Sequence, residues 1–270
     1  MSADKFFQKI ELLRCPVCGA AFSQCGASLK CVGGHTYDPS KKGYVNFAPN
    51  AGPTRYDGAL FESRRRILAG GFYDAVTDAI RSAMPKDVRV VLDAGCGDGS
   101  FTKALQGETT VGLDLSKDAI RLAAQGGGPI LWTVGDLTRL PLKDASADVI
   151  LNLFSPAHYA EFARVLKKDG LLLKLVPGAD YLQEIRALAG DKLRRGTYSN
   201  ESVVSHLSER FRLLDRVRIT ETFRLNEAQA RDFLIMTPLT FGMDAGELDA
   251  SKLSEITVDT ELLIAKAQRS

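Results

Sequence analysis

Three thiols and one imidazole, Cys15, Cys18, Cys31 and His35, stand close together near the start of the chain at a spacing suited to one metal ion. In Cys15-Pro-Val-Cys18-Gly19 a single tight turn can bring both sulfurs to the same ion, and Gly19 can close that turn. Cys31-Val-Gly-Gly-His35 repeats the device with an imidazole as its last donor. Four donors of this softness at knuckle spacing predict a tetrahedral zinc site, whereas ordinary buried or unpaired thiols would have no reason to keep such intervals. Cys25 lies between the two knuckles and reads as a non-ligand; it is the substitute if His35 does not bind.

The second constellation is Asp93-Ala-Gly95-Cys-Gly97-Asp-Gly99-Ser-Phe101-Thr102, which follows a short β-branched run and opens a helical pattern. Glycines there let the backbone approach a ligand where a β-carbon would collide. Asp114 ends the next strand pattern, where a carboxylate can accept both hydroxyls of a ribose, and Asp136 ends the third, placed to meet an adenine amino group. Dinucleotides and S-adenosylmethionine both fit a nucleoside laid across such strand ends. A dinucleotide loop calls for Gly-x-Gly-x-x-Gly facing a pyrophosphate. Here an acid heads the loop, which would repel phosphate but hold the cationic amino-acid end of S-adenosylmethionine. Asn152-Leu-Phe-Ser155-Pro156 follows the fourth strand, so Asn152, Ser155 and the backbone before Pro156 are candidates for holding the methyl acceptor; an ordinary Ser-Pro turn is the competing reading. Cys96 is expected to pack, and His158 and His206 receive no role.

Alternating strand and helix patterns must position these residues. Val88–Leu92, Thr109–Leu113, Ile130–Val134, Val149–Phe154 and Leu171–Val176 read as strands, with helices over Phe101–Leu105, Lys117–Ala124 and Tyr159–Leu166. Phe211–Phe223 and Thr260–Ala267 read as a terminal antiparallel pair around a helix near Glu227–Leu234. This predicts an α/β fold, a Rossmann-like domain on a mostly parallel seven-stranded sheet, with a small N-terminal zinc-ribbon-like domain. The expected division is a zinc-binding module at 1–50, a linker and helices at 51–87, and the cofactor domain at 88–270. The helices at Ala59–Ala69 and Phe72–Met84 are broken by Gly70-Gly71 and ended by Pro85.

The chain has 270 residues, 45% hydrophobic and 25% charged, which is enough for one full core and a satellite. No apolar run reaches membrane-spanning length and no export signal is legible, so a cytoplasmic protein with no membrane partner is expected. Cysteines clustered ahead of the main domain suit a reducing compartment. Net charge is only +2, yet residues 1 to 70 hold ten Lys/Arg against five Asp/Glu. Lys41, Lys42, Arg55, Arg64, Arg65 and Arg66, interleaved with Tyr44, Phe47 and Tyr56, form a candidate phosphate-facing surface; a solvated helix face explains the same residues about as well.

Taken together, Cys15-Pro-Val-Cys18, Cys31 to His35, Lys42-Gly-Tyr-Val-Asn46, Arg64-Arg65, Gly71-Phe-Tyr73, the Asp93–Thr102 loop, Gly112-Leu-Asp114-Leu-Ser116 and Met236-Thr-Pro238 resemble the RlmA family of large-subunit rRNA guanine-N1 methyltransferases. The resemblance runs over nearly the whole chain. It implies S-adenosylmethionine as methyl donor, a zinc module that grips a hairpin of ribosomal RNA, and a homodimer. By position it implies Cys15, Cys18, Cys31 and His35 as zinc ligands, and Tyr73, Phe101, Thr102, Asp114, Leu137 and Tyr181 near the cofactor. The expected reaction is in-line attack of guanine N1 on the sulfonium methyl, with the protein acting mainly by alignment. The rival enzyme reading is a small-molecule methyltransferase that keeps its zinc module as a structural element.

Overall fold

Runs such as Val90–Ala94, Thr109–Asp114, Leu131–Val134 and Ala147–Leu153 are apolar on both faces, and a strand of that kind is stable only when covered on both sides. The computed structural model, which describes residues 4–52, 58–190, 200–241, 243 and 248–268, builds these four as β5, β6, β7 and β8. They continue into β9 (Leu166–Pro177), β10 (Phe211–Arg224) and β11 (Glu255–Ala267). Ahead of them the thiol-rich segment forms a small sheet of β1 (Phe22–Cys25), β2 (Ser28–Cys31) and β3 (Thr36–Tyr37), followed by β4 (Tyr44–Asn46).

The main sheet has eight strands in the order β10-β11-β9-β8-β5-β6-β7-β4, one more than expected. The extra strand is β4, which pairs in parallel with β7 through Tyr44 opposite Trp132 and Asn46 opposite Val134. Its Gly-Tyr-Val-Asn run reads as part of the metal module in sequence, but β7 would otherwise be a bare apolar edge, and β4 covers it. Phe47 extends the join by donating its amide to the Val134 carbonyl at 2.8 Å. The terminal pair is antiparallel as expected, β11 on β9 and β10 on β11.

From β5 the chain steps outward to β6 and β7, then returns to the far side through β8 and β9. The strand order therefore reverses between β5 and β8, and a crevice opens above their carboxyl ends. Helices α2 (Gly58–Ala69), α3 (Asp74–Ala83), α4 (Ser100–Ala104), α5 (Lys117–Ala123), α6 (Tyr159–Val165), α7 (Gln183–Ala189), α8 (Glu201–Ser208) and α9 (Glu227–Met236) complete the fold, with α1 (Asp4–Gln8) at its start. One apolar core runs without a break from Phe22, Leu29, Tyr37 and Phe47 of the thiol-rich segment to Leu92, Val111 and Leu113 of the sheet. A second lies on the other face around Ile80, Val91, Phe233 and Leu262. Among the described residues no helix is long and apolar enough to cross a membrane.

Candidate functional site

Two tight turns build the metal-ligand cluster. Gly19 donates its amide to the Cys15 carbonyl at 2.8 Å, and Gly34 donates to the Cys31 carbonyl at 3.0 Å, each glycine at positive φ. The donor atoms of Cys15, Cys18, Cys31 and His35 all fall within 4.8 Å of one another. Cys18 Sγ lies 3.6 Å from Cys31 Sγ, and Cys31 Sγ lies 3.4 Å from His35 Nδ1. These are edges a tetrahedron of zinc ligands would have, given metal–donor bonds of about 2.0–2.3 Å. Burial opposes ionisation of Cys31, but hydrogen bonds from His35 and Cys18 outweigh it and bring that thiol down to about 6. Cys25 is exposed and outside the cluster.

The crevice is walled by the glycine loop after β5. Gly95, Gly97 and Gly99 all take positive φ, and two of them are also forced by contact. A β-carbon on Gly99 would come 2.4 Å from Trp132, and one on Gly95 would come 1.9 Å from Ser155 Oγ. Trp132, fully buried, also fills the space where Gly112 of β6 lacks a side chain; a β-carbon there would lie 2.4 Å from its ring. The loop thus rests on an indole. Sequence reading missed Trp132, although a glycine inside an apolar strand marks such a close approach.

Asp93 and Asp114 close the crevice from adjacent strand ends. Asp93 is 1% exposed; its Oδ2 accepts from Thr102 Oγ1 at 2.6 Å, while its Oδ1 has no partner. Burial pushes its carboxyl up to about 7. Thr102, itself fully buried, orients Asp93 through that bond. Asp114 accepts the Gly97 amide at 2.9 Å through Oδ2 and the Ser116 amide at 2.8 Å through Oδ1, leaving outward lone pairs on both oxygens for a diol. Burial raises its carboxyl as well, against the pull of those two amides. An orphaned buried acceptor and a half-buried carboxylate, side by side at a glycine cradle, fit the cationic and ribose ends of S-adenosylmethionine. At the third strand end Asp136 is exposed and accepts the Thr138 amide at 2.8 Å, with Leu137 half-buried beside it.

An aromatic wall faces the loop. The Tyr73 and Tyr181 hydroxyls meet at 2.7 Å, Tyr181 stacks on Phe154 at 5.5 Å, and Tyr73 stands edge-on to both Phe101 and Phe154 at 6.0 Å. Phe154, which sequence reading passed over, carries a positive φ of 52°. Asn152 departs from its expected role: it is fully buried, donating to the Ala94 carbonyl at 2.8 Å and the Pro156 carbonyl at 2.9 Å, so it supports the turn and does not reach an acceptor. Ser155 and Pro156 remain at the rim.

The expected phosphate-facing arginines scatter. Successive residues of a helix point about 100° apart, so the run on α2 meets three different walls. Arg64 lies over the Phe154 ring at 6.0 Å, and its charge acts on Asp93, Asp114, Tyr73 and Tyr181. Arg65 comes within 4.0 Å of Asp98, and Arg66 makes a two-point pair with Asp232 of α9 at 2.8 and 2.6 Å. Lys41 and Lys42 are exposed, while Arg55 and Tyr56 lie outside the described residues.

Comparison with known proteins covers both halves of this architecture. Residues 13–51 match the family model described as "RlmA, N-terminal", and residues 92–173 match "Methyltransferase domain". A Bacillus subtilis protein named "Putative 23S rRNA (guanine-N(1)-)-methyltransferase" is 38% identical over 94% of this chain and 96% of its own. The Streptomyces fradiae "23S rRNA (guanine(748)-N(1))-methyltransferase" is 30% identical over 92% of this chain and 91% of its own. Among solved structures, the complex of the Haloferax volcanii Trm112 methyltransferase activator with a methyltransferase aligns at a TM-score of 0.54 and 17% identity, over 80% of this chain and 100% of that one, a likeness of fold.

Proposed function

The chain belongs to the RlmA family of 23S rRNA guanine-N1 methyltransferases, and from that premise we propose that it transfers a methyl group from S-adenosylmethionine to N1 of a guanine in a hairpin of large-subunit ribosomal RNA. One observation carries the reading: a thiol and imidazole cluster and the Asp93–Asp114 crevice occur in one chain, and relatives aligned over more than nine-tenths of that chain are named for this reaction.

The donor would supply a sulfonium methyl for in-line attack by guanine N1, the methyl–sulfur bond breaking to leave S-adenosylhomocysteine and the N1 proton passing to water. Around it, Asp114 would hold the ribose hydroxyls, Asp93 Oδ1 the α-ammonium and Arg64 the α-carboxylate, with Gly95, Gly97 and Gly99 giving the backbone close approach. Tyr73, Phe101, Phe154 and Tyr181 make an apolar wall that excludes water and offers flat faces to a base. A guanine paired or stacked in the hairpin must first be drawn out, at a cost of about a few kcal/mol. Contacts from Lys41 and Lys42 to phosphates offset that cost and make binding depend on salt. The zinc cluster fixes the module that presents them. We also propose a cytoplasmic homodimer; sedimentation as a monomer at micromolar concentration would remove the dimer.

The test is methyl transfer from labelled S-adenosylmethionine to rRNA lacking the modification, with the product mapped by mass. Label on guanine N1 of one hairpin is expected, and a Lys41→Ala, Lys42→Ala variant should bind that RNA with a shallower salt dependence. Transfer to small molecules but never to RNA would reject the assignment.

A further inference from the structure

A charged residue interrupts the apolar run of β9, Leu-Leu-Leu-Lys174-Leu-Val, and the structure buries it: Lys174 is 4% exposed. Its Nζ donates to Asn152 Oδ1 at 2.6 Å and to the Ser155 carbonyl at 3.1 Å, and no carboxylate is among the groups acting on it. Burying an amine without a counter-ion is costly, and a leucine would suit the strand better, so stability alone does not account for it. What the amine holds is the turn at the crevice rim. Asn152, oriented by Lys174, ties the Ala94 carbonyl at the root of the glycine loop to the Pro156 carbonyl of the turn. Between those anchors Phe154 sits at φ 52°, a backbone that a bulky L-residue adopts only under constraint. Its amide donates to the Leu175 carbonyl at 3.0 Å, and Ser155 Oγ packs where a Gly95 β-carbon would be.

Resting on the methyltransferase reading above, we infer that Lys174 is a positioning residue: by pinning Asn152 Oδ1 and the Ser155 carbonyl from beneath, it keeps Phe154 strained and so sets the rim of the acceptor pocket against the donor loop. Without the amine, Asn152 Oδ1 and the Ser155 carbonyl both lose their buried donor, and the turn between them is no longer held from beneath. Phe154 then relaxes to negative φ, carrying its ring off Tyr181.

The experiment compares wild type with Lys174→Met, an apolar replacement of similar length. The expected result is a fall in kcat of thirtyfold or more, with the RNA KM and the affinity for S-adenosylhomocysteine both within threefold and Tm not lowered. Amide exchange at Phe154 should quicken at least tenfold while β5 and β6 keep their protection. Glycine accepts positive φ freely, so in a Phe154→Gly background the same replacement should change exchange across 152–157 less than threefold. The inference is overturned if kcat stays within threefold, if Phe154 exchange is unchanged, or if kcat, cofactor affinity and Tm fall together. The exchange arm does not use RNA. A wild type that fails to methylate rRNA would therefore sink the functional reading and leave the exchange result to decide this one.

Discussion

Asp93 and Asp114 sit at neighbouring strand ends but are built for different partners. Asp114 is already satisfied on one side by two backbone amides, whereas Asp93 keeps one oxygen buried and unpaired, with its carboxyl pushed up to about 7. In the ligand-free fold this raised value favours the protonated acid. Its contribution to stability is complete below the ordinary carboxylate range, about 4, and is lost as pH rises towards 7. Binding of an ammonium reverses the preference, because the cation needs the carboxylate. Calorimetry with S-adenosylhomocysteine should therefore show affinity falling by up to about tenfold per pH unit below 7, with a proton released on binding. An affinity flat from pH 5.5 to 8 would remove Asp93 from the ammonium site. Arg64 is tested beside it. Arg64→Gln should weaken S-adenosylhomocysteine by about tenfold or more, a charge-assisted hydrogen bond's worth, and leave 5′-methylthioadenosine, which has no carboxylate, within twofold. Equal losses for both ligands would return Arg64 to a structural role.

At the scale of elements, the glycine loop depends on what lies beneath it. β6 can carry Gly112 in its middle only because the Trp132 ring of β7 fills the gap. Adding one methyl group, Gly112→Ala, should cost about 1–3 kcal/mol by overpacking and show as a lower Tm. Combining it with Trp132→Phe should cost less than the two single changes added together, since the smaller ring makes room. Strict additivity would mean the two residues do not share this space. A comparable dependence holds the Tyr181 turn: Asp259, fully buried on β11, accepts from Arg218, Thr220 and the Asp180 amide, and Gly178 is required because a β-carbon would come 2.2 Å from Asp259 Oδ2.

Across the whole molecule, the thiol-bearing segment does not hang from the sheet as an appendage. Its β4 is the sheet's edge, Arg14 donates its amide to the Pro141 carbonyl at 3.1 Å, and the apolar core passes without interruption from Phe22 and Tyr37 into Leu92 and Leu113. Structural zinc stabilises a fold by its binding free energy, so stripping the metal should be felt beyond the knuckles. Chelation is expected to lower the temperature of a single cooperative unfolding transition, to weaken S-adenosylhomocysteine several-fold through the β7 edge, and to be reversed by added zinc. Calorimetry resolving two transitions, with the larger one unmoved by chelation, would show the two parts to be independent.

The ligand chemistry was legible in the chain because it depends on local spacing. Cys15 to Cys18 and Cys31 to His35 each close within one turn, and the acid-headed glycine loop needs only its own backbone to be recognised. The order of strands and helices was legible for a similar reason, since apolar runs covered on both faces leave a continuous signal. Three-dimensional packing decided the rest. That Tyr44–Asn46 would complete the sheet, that three consecutive arginines would part company around a helix, and that Asn152 would turn inward onto Lys174 all depend on residues far apart in sequence. No local pattern encodes a hydrogen bond between β9 and the turn after β8. Such contacts exist only once non-local burial has brought the strands together, and that burial sets the shape of the acceptor rim.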